Sequence, residues 1–65
     1  MSLIKRSFTL DGHHTSIALE PEFWEALNKI AQSRALSLPR LITEIDETRG
    51  DRPLASSLRV YCLGK

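Results

Sequence analysis

The adjacent pair His13-His14 is the feature of this chain that most invites chemistry, because imidazole ligates metals and titrates near neutrality. Neighbouring residues on an extended strand point to opposite faces, so the two rings diverge and are poorly placed to share one ion. No cysteine or carboxylate stands nearby at a metal-ligand spacing. Cys62 is the single cysteine and falls on the apolar side of the last segment, where a thiol serves as a small core residue. Ser56-Ser57 lacks the glycine-rich elbow that exposes a nucleophilic serine. Arg49-Gly50-Asp51 spells a cell-adhesion tripeptide, but ahead of Pro53 it reads as a helix stop followed by a turn. Glu44, Asp46 and Glu47 make a solvated acidic face. Phe8, Phe23 and Trp24 lie on or beside apolar stripes, which suits packing better than base stacking. No acid–base pair or activated nucleophile emerges, so we expect neither an enzyme nor a bound metal or cofactor.

The elements that carry these residues are few. A chain of 65 residues buries only about 60% of its unfolded surface, and chains of this size usually draw on disulfides, a metal or a partner subunit. With disulfide and metal disfavoured, a partner chain is the expected source of stability. Hydrophobic residues at 42% and charged ones at 26% match a folded domain, and no apolar stretch approaches a membrane span. The opening Met1-Ser2-Leu3-Ile4-Lys5-Arg6 has no apolar signal region, and one thiol suits a reducing cytoplasm. Nine basic against eight acidic residues leave a net charge of +1, a weak electrostatic footprint for a nucleic-acid binder.

Residues 4 to 19 alternate as strands do. Ile4, Arg6, Phe8 and Leu10 share one face with Lys5, Ser7 and Thr9 opposite, and after Asp11-Gly12 the residues Thr15, Ile17 and Leu19 alternate with His14, Ser16 and Ala18. Asp-Gly between alternating runs is a hairpin signal, since both turn positions need positive φ. A two-residue loop pairs Leu10 with His13, Phe8 with Thr15, Arg6 with Ile17 and Ile4 with Leu19, which gathers the apolar side chains on one face. Pro21 then opens a helix expected to run to about Arg34, with an apolar stripe of Phe23, Ala26, Leu27, Ile30 and Ala31. Ser37 is placed as the N-cap of a second helix carrying Leu38, Leu41, Ile42 and Ile45, and Gly50 as the residue just past its end. Leu54 to Leu63 shows helical spacing at Leu54, Leu58, Tyr61 and Cys62; Val60 and Tyr61 also suit a strand, and we favour a short helix.

The stretch from His14 to Ile45, with Thr15-Ser16-Ile17-Ala18-Leu19-Glu20-Pro21 entering the first helix and Ser37-Leu38-Pro39-Arg40-Leu41-Ile42 opening the second, resembles the ribbon-helix-helix family of bacterial DNA-binding proteins. The resemblance covers about residues 13 to 48. The flanks Lys5-Arg6-Ser7-Phe8-Thr9-Leu10 and Ala55-Ser56-Ser57-Leu58-Arg59-Val60 look like those of a compact bacterial subfamily. It implies an α+β, mainly α fold in a single domain, 1–65, made of the core 13–48, an N-terminal strand arm 3–10 and a C-terminal helix 54–63. It further implies an obligate homodimer, in which one strand from each subunit forms a two-stranded ribbon over a four-helix core. Such a ribbon enters the DNA major groove and reads base edges.

By that resemblance His14, Ser16 and Ala18 are the base-contacting positions, Ala18 through a thymine methyl at most. Ser37 with the helix N-terminus behind it, Arg40, and Lys5 and Arg6 on the arm are the phosphate contacts. The expected function is a cytoplasmic, sequence-specific DNA-binding regulator. The alternative is a protein-interaction module, an antitoxin-like or adaptor dimer that keeps the fold without DNA binding. A hairpin strand beside the ribbon would make a sheet too wide for a groove about 12 Å across. Two arrangements therefore stay open: an arm that leaves the ribbon free, or a fold kept for a protein partner.

Overall fold

Strands β1 (Ile4–Leu10) and β2 (His13–Leu19) and helices α1 (Pro21–Ser33), α2 (Leu38–Thr48) and α3 (Leu54–Leu63) follow one another in the computed structural model, which describes residues 2–64. Residues 1 and 65 of the expected domain lie outside the described residues. The two strands form an antiparallel hairpin in the register read from the sequence, from Ile4 opposite Leu19 to Leu10 opposite His13. Asp11 and Gly12 take φ of 50° and 81°, the positive pair that a two-residue turn of this hand requires. α1 ends one residue earlier than the periodicity suggests, with Arg34 as its C-cap.

The hairpin lays its inner face on the helices. Leu10, Ile17 and Leu19 are buried there together with Trp24, Leu27 and Ala31 from α1, Leu41, Ile42 and Ile45 from α2, and Leu58 from α3. Ile4, expected on this face, sits at its margin and is 41% exposed. Its carbonyl accepts a hydrogen bond of 2.8 Å from the Trp24 indole, so the backbone of β1, rather than the Ile4 side chain, anchors the strand to α1. The last segment is a helix. Leu58 is fully buried, and Arg59 reaches Glu20 at 3.0 Å, tying α3 to the junction of β2 and α1.

The sequence suggests a core that draws on a second chain; within one chain β1 and α3 add Leu10 and Leu58 to it, while Leu3, Ile4, Val60 and Leu63 stay exposed. The accessible surface is 4334 Å², against about 4,200 Å² for a compact monomer of this mass. The radius of gyration is 11.0 Å, against about 10.7 Å for a folded chain of this length. Among the described residues, no helix is long and apolar enough to cross a membrane.

Candidate nucleic-acid interface

Strand alternation sends Lys5, Ser7 and Thr9 of β1 and His14, Ser16 and Ala18 of β2 to the face away from the helices. All are exposed but Ala18, which is half-buried. The register places them in three cross-strand pairs: Lys5 with Ala18, Ser7 with Ser16, and Thr9 with His14. The turn makes Leu10 and His13 a hydrogen-bonded pair, and such pairs alternate along an antiparallel ladder. The three outward pairs are then the non-bonded kind, whose side chains approach more closely. The Ser7 and Ser16 Oγ atoms lie 3.3 Å apart, and Thr9 Oγ1 is 3.1 Å from His14 Nδ1.

Hydroxyls and an imidazole both donate and accept, so this face offers adaptable hydrogen-bonding groups along about 14 Å of strand. That is the rise of about four base pairs. The ladder phase also aims the backbone N–H and C=O groups of His14, Ser16 and Ala18 away from β1, along the outer edge of β2. Among the described residues no strand pairs with that edge.

His13 and His14 diverge as strand neighbours must, with His14 on the outward face beside Thr9. Among the described residues, no group of three or more His, Cys, Asp or Glu could hold a metal ion.

The expected phosphate-contacting residues are not gathered in one place. Lys5 shares the outward face with the hydroxyls, whereas Arg6 lies on the inner side with its guanidinium 5.3 Å from the Trp24 ring centre. Ser37 caps α2 as expected, its Oγ accepting the Arg40 N–H at 3.2 Å. Pro39 has no N–H and that of Arg40 is taken, which leaves the Leu38 N–H as the first-turn donor available to an anion. Asp46 and Arg49, near the C-terminal end of α2, line a recess with Leu10, His13 and His14 at the hairpin turn. At 1.5 Å per residue, Ser37 stands about 13 Å back along the helix from Asp46, so Ser37 and Arg40 lie at the end of α2 away from the turn.

Carboxylates already hold three of the arginines. Arg34 meets Glu44 at 3.1 Å, Arg49 meets Asp46 at 2.6 Å and Arg59 meets Glu20 at 3.0 Å. The hydrogen bond that Arg34 donates to Glu44 holds the guanidinium even more firmly charged than usual, and the one it donates to Tyr61 adds to this. Lys5 and Arg40 have no carboxylate partner among the described residues, so their charge is free for a phosphate.

Ser7 and Thr9 are outward residues that reasoning from the sequence misses. The signal is present there, because the Asp11-Gly12 register already sets them opposite Ser16 and His14. They escape notice because a ribbon built from two chains gives β1 no part in reading.

A family model described as a ribbon-helix-helix domain matches residues 3–65. Members of that family are generally DNA-binding regulators and typically form dimers. No match was found among curated proteins, and none among solved structures.

Proposed function

Because the chain belongs to the ribbon-helix-helix family, we propose that it is a sequence-specific DNA-binding regulator of the cytoplasm that places the outward face of its hairpin in the major groove. The observation that carries this reading is the face itself. It is exposed and two strands wide, set with Ser7, Thr9, His14 and Ser16, and backed on its other side by the helices. Two strands about 4.8 Å apart with their side chains fit a groove about 12 Å wide.

In this reading Ser16 and His14 touch base edges, and Ala18 packs against a thymine methyl. Lys5, Arg40 and the Ser37 end of α2 meet phosphates at the rim, which fixes orientation without reading sequence, whereas Arg6 would have to leave Trp24 to join them. The homodimer typical of the family is the DNA-binding unit in this reading.

The test is a titration on duplex DNA at several salt concentrations. Arg40→Ala should make the slope of log K against log salt shallower by about one for each phosphate that the arginine neutralises. Ser16→Ala should leave that slope alone and relax sequence preference instead. Absence of binding by the parent chain at low salt, where attraction to phosphate is strongest, would sink the reading. The interaction-module reading would then stand, favoured by the exposed Val60 and Leu63 of α3.

A further inference from the structure

We propose that the cleft between the end of α2 and the middle of α3 binds a small organic carboxylate. Its oxygens meet Arg52 and the Ser57 hydroxyl, and its apolar body lies on Ile45 and Val60. The site shares no residue with the outward face of the hairpin and does not depend on DNA binding.

The chain turns from α2 into α3 through residues 49 to 53, and the two helices leave between them a cavity of about 330 Å³. That is at the lower end of the volumes that hold small molecules. Ile45 and Val60 give it an apolar wall. Ile45 is buried and Val60 exposed, so this wall runs from the core outward.

Ser57 is the observation that points to a ligand. It lines the cavity and is 7% exposed, and its Oγ is buried without a hydrogen-bond partner. A hydroxyl desolvated and left unpaired costs stability. Thr48, on the facing helix, shows the ordinary fate of such a group: its Oγ1 donates to the carbonyls of Glu44 and Ile45. Ser57 makes no bond of that kind, so its proton and lone pairs are left for a molecule in the cavity.

The charge of that molecule follows from the rim. Arg49 and Arg52 line the cavity, and no carboxylate does. Arg49 donates its Nε to Asp46 and its Nη1 to the Arg52 carbonyl, both at 2.6 Å, which neutralises it and pins the loop. The Arg52 guanidinium has no carboxylate partner among the described residues, so one positive charge is left uncompensated there. A cation is repelled, and an uncharged apolar molecule leaves both Ser57 and Arg52 unanswered. A carboxylate accepts from a guanidinium and a hydroxyl at once. A bare phosphate also answers the charge, but it gains nothing from the wall of Ile45 and Val60.

The experiment titrates the full chain with three probes and follows it by NMR. Benzoate carries a ring and a carboxylate, benzyl alcohol the ring without charge, and inorganic phosphate the charge without a ring. Benzoate should saturate with a Kd of about 1 mM, about tenfold tighter than either of the others. The shifts should centre on the Ile45 and Val60 methyl groups and the Ser57 amide. Ser57→Ala and Arg52→Gln should each weaken benzoate about tenfold, as loss of one hydrogen bond to a charged group does. Removing the unpaired hydroxyl relieves a cost to the fold, so Ser57→Ala should melt no lower than the parent and its loss of binding is not unfolding. The proposal is overturned if benzoate shifts saturate elsewhere or fail to saturate by about 10 mM. A second copy of the chain filling the cavity would give that result. It is equally overturned if both variants bind benzoate as the parent does, or if benzyl alcohol or phosphate binds as tightly as benzoate.

Discussion

At the scale of single residues, the end of α1 shows how far a position can depart from its usual occupant. Leu36 N–H reaches Ala31 O at 2.9 Å and Ala35 N–H reaches Gln32 O at 3.1 Å, the paired bonds of a Schellman cap. That cap puts Ala35 at φ 56°, a conformation in which its Cβ crowds the following carbonyl. Ala35 is exposed, so its methyl contributes little packing. Ala35→Gly should therefore raise stability by about 0.5–1 kcal/mol, net of the extra freedom that glycine gives the unfolded chain. A denaturant melt checks it, with the midpoint moving up.

Glu20 makes the second residue-scale prediction. A hydrogen bond from its own backbone, and then the one from Arg59, hold its carboxyl below the usual range. A carboxyl lowered in the folded state stabilises the fold at every pH above its unfolded value, and that contribution fades as acid carries the pH down through the folded one. Stability should thus fall on the acid side of the usual carboxylate range. Glu20→Gln should flatten that limb in melts taken from neutral to acid pH.

At the scale of elements, α3 is the segment whose state the sequence leaves open. Its sequence reads both ways, since Val60 and Tyr61 favour strands, and tertiary packing settles it as a helix. Leu58 goes under the hairpin and against α1 and α2, while Arg59 sits 3.0 Å from Glu20 and its guanidinium lies 5.9 Å from the Phe23 ring centre. The packing carries one defect. Ser57 is 7% exposed, and its Oγ is buried with no hydrogen-bond partner. A hydroxyl desolvated without a partner costs about 1–3 kcal/mol, so Ser57→Ala should stabilise the protein by about 1 kcal/mol or more, and thermal melting reads the gain directly. An unchanged or lower melting temperature would show that the hydroxyl finds a partner in solution.

At the scale of the whole molecule, the area and radius are those of one compact chain, and the family typically adds a second copy to it. For an intertwined dimer, dilution unfolds the protein and the melting temperature climbs with concentration by mass action. For the dimer typical of the family, the melting temperature should rise with protein concentration from nanomolar to high micromolar. A melting temperature that does not move with concentration, with helicity retained at the dilute end, would show that one chain closes the core alone.

Most of the local structure was legible in the sequence because it is governed by neighbours along the chain. Asp11-Gly12 allows the positive φ pair, and the alternation on either side leaves one register that gathers the apolar face. Pro21 and Ser37 start helices for reasons confined to their first turns, and Gly50 ends one for the same kind of reason. Ala35 was not legible, because the αL position of a helix cap announces itself only when glycine or asparagine fills it. The pose of Arg6 over Trp24 was equally hidden, since the two meet only once β1 lies against α1. The largest difference concerns the core. Periodicity named the apolar residues, but whether one chain or two would cover them depends on where β1 and α3 dock in space. Short-range pattern carries no information about that docking, and the tertiary structure alone placed Leu10 and Leu58 over the α1–α2 pair and left Ser7 and Thr9 facing outward beside Ser16 and His14.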